Sequence, residues 1–309
     1  MTDESRWAII YCPKSRTKSS HKLRRQVERC LHESGVAYDL VQSEDASSVS
    51  RLVTMMINND YKTIIIFGSD TALCDAVNCL MQTERNLRDT IALGTIPNGG
   101  LCDFAHYWGI DDDDIESTVA SLKTRRIRRV DLGCVKYKDA AGATQQRYFL
   151  NCVNIGLVAM IGKLRRVTTH AIGIGAHSYV VSLIQLLFKR LDFKMHFHIN
   201  SETVKRNITS VCVGNARGYG QTPNAVPYNG HLDVSVVHHA ELTQLFEGIY
   251  LYVRGQFLNH KSIQPYRTRK ITFYSTGKAP VNVDGREIES PSGEYDITVE
   301  HEAVNFLIP

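Results

Sequence analysis

The sequence predicts an α/β fold in two parts, a parallel-sheet domain with helices on both sides followed by a mainly antiparallel β domain. Three observations carry this expectation. The first hundred residues alternate short apolar runs with stretches of helical spacing, the rhythm of βαβ units. Beyond residue 129 strand-like runs follow one another with few helical stretches between them, the pattern of antiparallel structure. The chain has 309 residues, more than one small core organises, so two domains are expected.

The elements follow in order. "WAIIYC" (7–12) reads as a strand, 19–35 as a helix, "VAYDLV" (36–41) as a strand and 45–60 as a helix. "KTIIIFG" (62–68) is almost wholly apolar, as a strand covered on both faces must be, and 72–81 has helical spacing. "TIALGTIPNGG" (90–100) supplies a fourth strand and a glycine turn, with a short helix after it. The four carboxylates Asp111 to Asp114 mark a loop and cap before a helix over 115–123. In the second part, strands are expected at 147–156, 192–200, 206–215, 231–239, 269–275 and 280–286, and helices at 176–191 and 241–255. The division is expected at 1–128 and 129–290, with 291–309 returning to the first domain.

Composition excludes several classes. Apolar content of 43% and charged content of 22% describe a soluble globular chain, and a net charge of +4 is too small to imply a nucleic-acid partner. The longest apolar run, 179–188, is far shorter than the roughly 20 residues of a membrane span. The start of the chain lacks the basic and apolar regions of a secretory leader, which predicts a cytoplasmic protein. The eight cysteines form no CxxC pair and read as reduced, buried thiols rather than zinc ligands. His196 and His198 share one strand face, a packing feature more than a ligand set. The basic runs "KTRRIRR" (123–129) and "KLRR" (163–166) suit a solvated face or an anionic surface.

The chemistry-bearing motifs are more specific. "IIIFGSD" (64–70) runs from a strand through a turn into a helix, the arrangement in which backbone amides hold phosphates, yet it has one glycine, Gly68. In order along the chain stand "GSDTALCD" (68–75), "PNGGLCDFAH" (97–106), "VDLG" (130–133), "FLNCVNIG" (149–156), "GNARGYG" (214–220), "NGHLDV" (229–234) and "VDGREI" (283–288). In this series the chain resembles the diacylglycerol kinase catalytic family, which includes bacterial lipid kinases and the sphingosine and ceramide kinases. It is more distantly similar to NAD kinases.

The resemblance implies a diacylglycerol kinase and NAD kinase-like fold, an N-terminal Rossmann-like parallel-sheet domain plus a C-terminal β-sandwich domain, with a lipid substrate and phosphoryl transfer from ATP with Mg²⁺ to a lipid hydroxyl at a peripheral membrane surface. It places the catalytic carboxylates on Asp70, Asp103, Asp131 and Asp284. The phosphate-binding positions fall on Gly68, Ser69, Thr71, Gly99, Gly100 and Lys14, and the metal positions on Asn229 and Asp233. The pattern also departs from the family. Its G-G-D-G-T becomes Gly68-Ser69-Asp70-Thr71-Ala72, and its G-T-G-N-D becomes Gly99-Gly100-Leu101-Cys102-Asp103. The opening N-P-x-x-G loop reads Cys12-Pro13-Lys14-Ser15-Arg16, D-G becomes Asn229-Gly230, and D-G-E becomes Asp284-Gly285-Arg286. Ser69, Thr71 and Ser15 keep hydroxyls, and Arg286 and Lys14 keep charge, so anion binding is better preserved than turnover. Two readings stand at this point: a family member with weak or lost catalysis that still binds a lipid or phosphate ligand, and a lipid kinase active with divergent loops. An NAD kinase-like enzyme is a third, less favoured. Asp70 and Asp103 also suit helix capping, and Asp284 suits a hairpin turn with Gly285.

Overall fold

A computed structural model of the chain describes residues 6–13, 18–45, 47–98, 102–111, 114–160, 192–239, 244, 247–248, 250–251 and 254–309. The chain divides into two units, Met1–Leu132 with His301–Pro309, and Gly133–Glu300.

The first unit alternates as its apolar pattern requires: β1 (Trp7–Tyr11), α1 (Lys18–Glu33), β2 (Tyr38–Gln42), α2 (Ser48–Asn58), β3 (Thr63–Gly68), α3 (Asp70–Met81), α4 (Arg85–Arg88), β4 (Ala92–Pro97), α5 (Asp103–Tyr107) and α6 (Ile115–Lys123). Strands β1, β3 and β4 are buried at every position, which their unbroken apolar runs demand. Asp114 caps α6 as expected, its Oδ1 accepting from Ser117 N at 3.0 Å.

The chain passes to the second unit within β5 (Arg126–Lys138) and returns within a long final strand. Between them lie β6 (Thr144–Phe149), β7 (Cys152–Gly156), β8 (Phe193–Ile199), β9 (Glu202–Gly214), β10 (Leu232–His238), β11 (Ile263–Thr268), β12 (Lys270–Ser275), β13 (Val281–Val283) and β14 (Arg286–Ile288), and β15 (Tyr295–Ile308) closes the chain. In the first unit the sheet runs β2-β1-β3-β4-β15, every neighbouring pair parallel, with Asn305 opposite Ala92. Phe306 is fully buried and meets Phe104 edge-on at 5.1 Å.

In the second unit the pairs β5–β6, β7–β9, β7–β13, β8–β9, β8–β12, β9–β10, β10–β11, β12–β15 and β13–β14 are antiparallel. The long β9 pairs β8 along its first half and lies between β7 and β10 along its second. Its core gathers Phe149, Phe197, Phe273, Val213, Val234 and Ile297. Gly133 faces Phe149 across the β5–β6 pair, and a Cβ there would stand 1.9 Å from the Phe149 ring, so only glycine leaves room for it.

Two expected elements differ. The single strand expected over 147–156 is broken at Leu150 and Asn151, and the strand expected over 280–286 is a tight hairpin between β13 and β14. Both differences have one cause, given below. The helix expected at 176–191 and the basic run at 163–166 lie outside the described residues. His196 and His198 do alternate with core residues Met195, Phe197 and Ile199, and they contact Tyr274 and Thr203. Among the described residues no helix is long and apolar enough to cross a membrane.

Candidate functional site

In the first unit the chain moves outward from β1 to β2 and then back to β3, so the sheet reverses direction of growth between β1 and β3. Ligands of open α/β sheets gather outside the strand ends at such a point. Cys12 and Gly68 stand there. A Cβ on Gly68 would come within 3.1 Å of the Cys12 Cβ and 3.2 Å of the Ala72 Cβ, so a larger residue would make these neighbours give by a few tenths of an ångström.

Three separate turns are tied together at this end. The Asn98 Nδ2 donates to Cys12 O at 2.6 Å, the Cys102 Sγ donates to Gly68 O at 3.4 Å, and Phe104 N donates to the buried Asp70 Oδ2 at 3.2 Å. The N-cap positions of α3 and α5 belong to Ser69 and Cys102, so Asp70 and Asp103 sit one residue inside their helices. Asp70 does cap a helix, but it is α5, reached from across the cluster. Thr71 and Ser69 are half-buried, and the Ser69 hydroxyl makes no capping bond. Gly99, Gly100, Leu101 and Lys14 lie outside the described residues.

A triphosphate with its Mg²⁺ needs successive amides that no side chain crowds and carboxylates free to meet the metal. The described first turn has one glycine, a buried Ala72 where the resemblance calls for a hydroxyl, and an Asp70 oxygen engaged by an amide. Asn98 and Cys102 direct donors to neighbouring carbonyls. These residues do not fit that group.

Asp131 does not join the cluster. Since Asn305 lies opposite Ala92 where β4 begins, His301 falls before that strand's first residue, whereas Asn98 follows its last. Asp131 is fully buried and its Oδ1 accepts from His301 Nδ1 at 2.7 Å and from Glu302 N at 2.8 Å. Arg129 pairs nearby with Asp89 at 2.8 Å. This tie belongs to the opposite edge of the parallel sheet.

In the second unit Asp284 and Gly285 have φ of 44° and 88°, the backbone of a two-residue hairpin joining Val283 to Arg286. The turn aims the Asp284 carboxylate at a chain reversal, where it accepts from Leu150 N and Cys152 N at 2.7 Å each and from Asn151 N at 3.1 Å. These amides serve the carboxylate in place of a strand ladder, which is why 147–156 breaks and 280–286 folds back. Asn151 extends the knot, its Oδ1 accepting from Gly218 N at 2.9 Å and its carbonyl from Asn215 N at 2.9 Å. Asn215 Nδ2 donates to Leu150 O, and Gln221 Nε2 donates to Asn154 Oδ1, both at 2.9 Å. Asp284, Asn151, Asn215 and Gln221 are each no more than 4% exposed. Three motif stretches far apart in sequence thus form one buried polar knot. Asn154, Gln221 and Thr222 were not singled out from sequence; polar residues interrupting the apolar run at 151 and 154 were the available signal.

Asn229 and Asp233 do not converge on a cation. Asn229 Oδ1 accepts from His231 N at 2.9 Å within its own turn. Asp233 lies opposite Arg267 on β11, which bonds both carboxylate oxygens, Nε to Oδ1 at 2.8 Å and Nη2 to Oδ2 at 3.3 Å. Among the described residues no three His, Cys, Asp or Glu side chains group closely enough to hold a metal. The pair therefore does not fit a divalent ion.

All eight cysteines are free thiols, and seven are buried. Burial pushes the Cys12 thiol up, with the hydrogen bond to Ser43 opposing it, and raises the Cys134 thiol to about 11.

Comparison with known proteins supplies the remaining facts. Residues 6–135 match the model of the diacylglycerol kinase catalytic domain, and 151–306 match the YegS C-terminal NAD kinase beta sandwich-like domain. A diacylglycerol kinase of Staphylococcus carnosus is 20% identical over 286 residues, covering 90% of this chain and 87% of its own. The crystal structure of a diacylglycerol kinase from Bacillus anthracis superposes with a TM-score of 0.71 at 17% identity, covering 100% of this chain and 98% of that one. Yeast NADH kinase complexed with NADH gives a TM-score of 0.56 at 11% identity, covering 99% and 83%. Both structures share the fold.

Proposed function

This chain belongs to the diacylglycerol kinase family, joining that family's catalytic domain to a YegS-type C-terminal β-sandwich-like domain, and we propose that it binds a lipid or phosphate-bearing ligand with phosphoryl transfer weak or absent. One observation carries the reading. The turn between β3 and α3 has a single glycine, and the neighbouring donors Asn98, Cys102 and Phe104 N are bonded across the three turns. Each charge-assisted bond withheld from a phosphate weakens binding by about 1.5–3 kcal/mol, and each missing transition-state donor lowers turnover about 10²-fold. ATP is the phosphoryl donor that a kinase family implies.

Support for the ligand half is chemical. The first-turn amides of α3, with the hydroxyls of Ser69 and Thr71, suit one phosphate group. The exposed run Lys123 to Arg128, with Ile127 47% exposed among its arginines, suits the anionic headgroups of a peripheral membrane surface. A second reading, an active lipid kinase with divergent loops, draws on the presence of Asp70, Asp103, Asp131 and Asp284 together.

The discriminating experiment is transfer of labelled phosphate from ATP to diacylglycerol and to a sphingoid base in mixed micelles, with MgATP calorimetry on the same protein. The proposal expects transfer that is weak or absent and no measurable heat from MgATP. It also expects the triple variant Ser69→Gly, Thr71→Gly, Ala72→Thr to gain at least about tenfold in nucleotide affinity. Sustained transfer by the unmodified chain selects the second reading.

A further inference from the structure

The Asp233 and Arg267 pair is more than a strand-to-strand ion pair. Sequence resemblance marks Asn229 and Asp233 as metal positions, and a divalent ion there would need several oxygen donors converging from the turn and the strand. At 229 the side chain is a neutral amide whose oxygen is committed to His231 N. At 233 both oxygens meet one guanidinium, in the two-point geometry that a planar fork gives and a point charge does not. The Asp233 side chain is only 13% exposed, so its charge needs a partner, whereas Arg267 is 53% exposed and keeps its far side in water.

Access does not explain the absence of a cation set. The pair lines a cavity of about 290 Å³ with Thr222, Asn224, Leu258 and Tyr266. A hydrated ion could enter it and would find Asp233 already neutralised. We propose that Arg267 is a built-in cation at this position: the guanidinium holds the β10–β11 ladder with the charge that a bound divalent ion would otherwise supply. The second unit is then indifferent to divalent cations. This inference goes beyond the proposed function, because it holds whether or not the chain transfers phosphate.

The test is thermal unfolding of the full chain, stripped with chelator and then measured in chelator, in millimolar MgCl₂ and in millimolar CaCl₂. The wild type is expected to melt at the same temperature in all three. Arg267→Gln leaves a nearly buried carboxylate uncompensated and is expected to melt several degrees lower in chelator, roughly 3–8 °C. Calcium or magnesium should restore part of that loss, and the restoration should vanish in Asp233→Asn, Arg267→Gln. If Arg267→Gln does not fold, Arg267→Lys is read in the same way, with a smaller loss and a smaller restoration expected. A wild-type melting temperature that rises with either cation and ceases to rise in Asp233→Asn overturns the proposal. So does an Arg267→Gln protein as stable as wild type in chelator.

Discussion

The loop cluster of the first unit and the polar knot of the second solve the same problem with different residues. Each ties three stretches of chain that are distant in sequence. In the knot, the bonds run through Asp284, Asn151 and Asn215, residues that match the family pattern, and every one is buried. In the cluster, two of the three bonds run through Asn98 and Cys102, and Cys102 is a departure from that pattern. The difference teaches that a motif residue has two separable duties, holding the backbone and meeting a ligand. Where the first duty is heavy the residue is still present; where the second dominated, this chain has substituted it and kept the turns joined.

Removing the acceptor of three amides is the strongest way to break this comparison. Asp284→Ala should cost about 3–5 kcal/mol of the second unit's stability, seen as a lowered denaturation midpoint, while Asp284→Asn should cost less. If Asp284→Asn instead leaves the midpoint unchanged and only removes a lipid kinase activity, its duty is catalytic and the contrast fails. A packing test of the same unit comes next. Gly133→Ala should cost about 1–3 kcal/mol because its Cβ would enter the Phe149 ring, and Phe149→Leu in the same chain should recover part of the loss.

Alkaline pH tests the second unit more gently. Cys134 is raised to about 11 and Tyr295 to about 12, both chiefly by burial. A folded pKa above the unfolded value gives stability that is complete below the unfolded pKa and is lost as pH rises toward the folded one. The Cys134 contribution, about 2–3 kcal/mol, should therefore persist below pH 9 and fade between pH 9 and 11. Tyr295 should fade between pH 10 and 12. Circular dichroism melts across this range should show the second unit weakening, and Cys134→Ala should remove the earlier part. The smallest effect is expected in the cluster. Cys102→Ala should cost about 1 kcal/mol, since a thiol is a weak donor, with intrinsic tryptophan fluorescence of Trp108 reporting the melt.

Much of this architecture was legible in the residues. The parallel sheet announced itself because strands covered on both faces must be almost wholly apolar, as 64–68 is. The α6 cap and the Asp284–Gly285 turn were legible because their chemistry is local. The break at Leu150 was not, because the carboxylate that takes its amide lies on a hairpin more than a hundred residues later. Nor was the claim of Arg267 on Asp233, which depends on the register of β10 against β11 and on nothing in either strand alone. Asp131 stood out in the "VDLG" stretch only as a carboxylate the resemblance implies, and its place at the far end of the parallel strands follows only from where β15 pairs β4.

The return of the last strand has a consequence for how the protein is made. Since β15 supplies the strand beside β4, the first unit is interrupted by 168 residues of the second, and its sheet has an open apolar edge until residues 301–309 have been made. During synthesis the inserted unit has nearly all of its chain before the enclosing one is complete, and a fragment ending at Leu132 would present β4 to any passing strand. Anyone wishing to isolate the first unit should graft residues 301–309 onto it through a short linker rather than simply cut the chain.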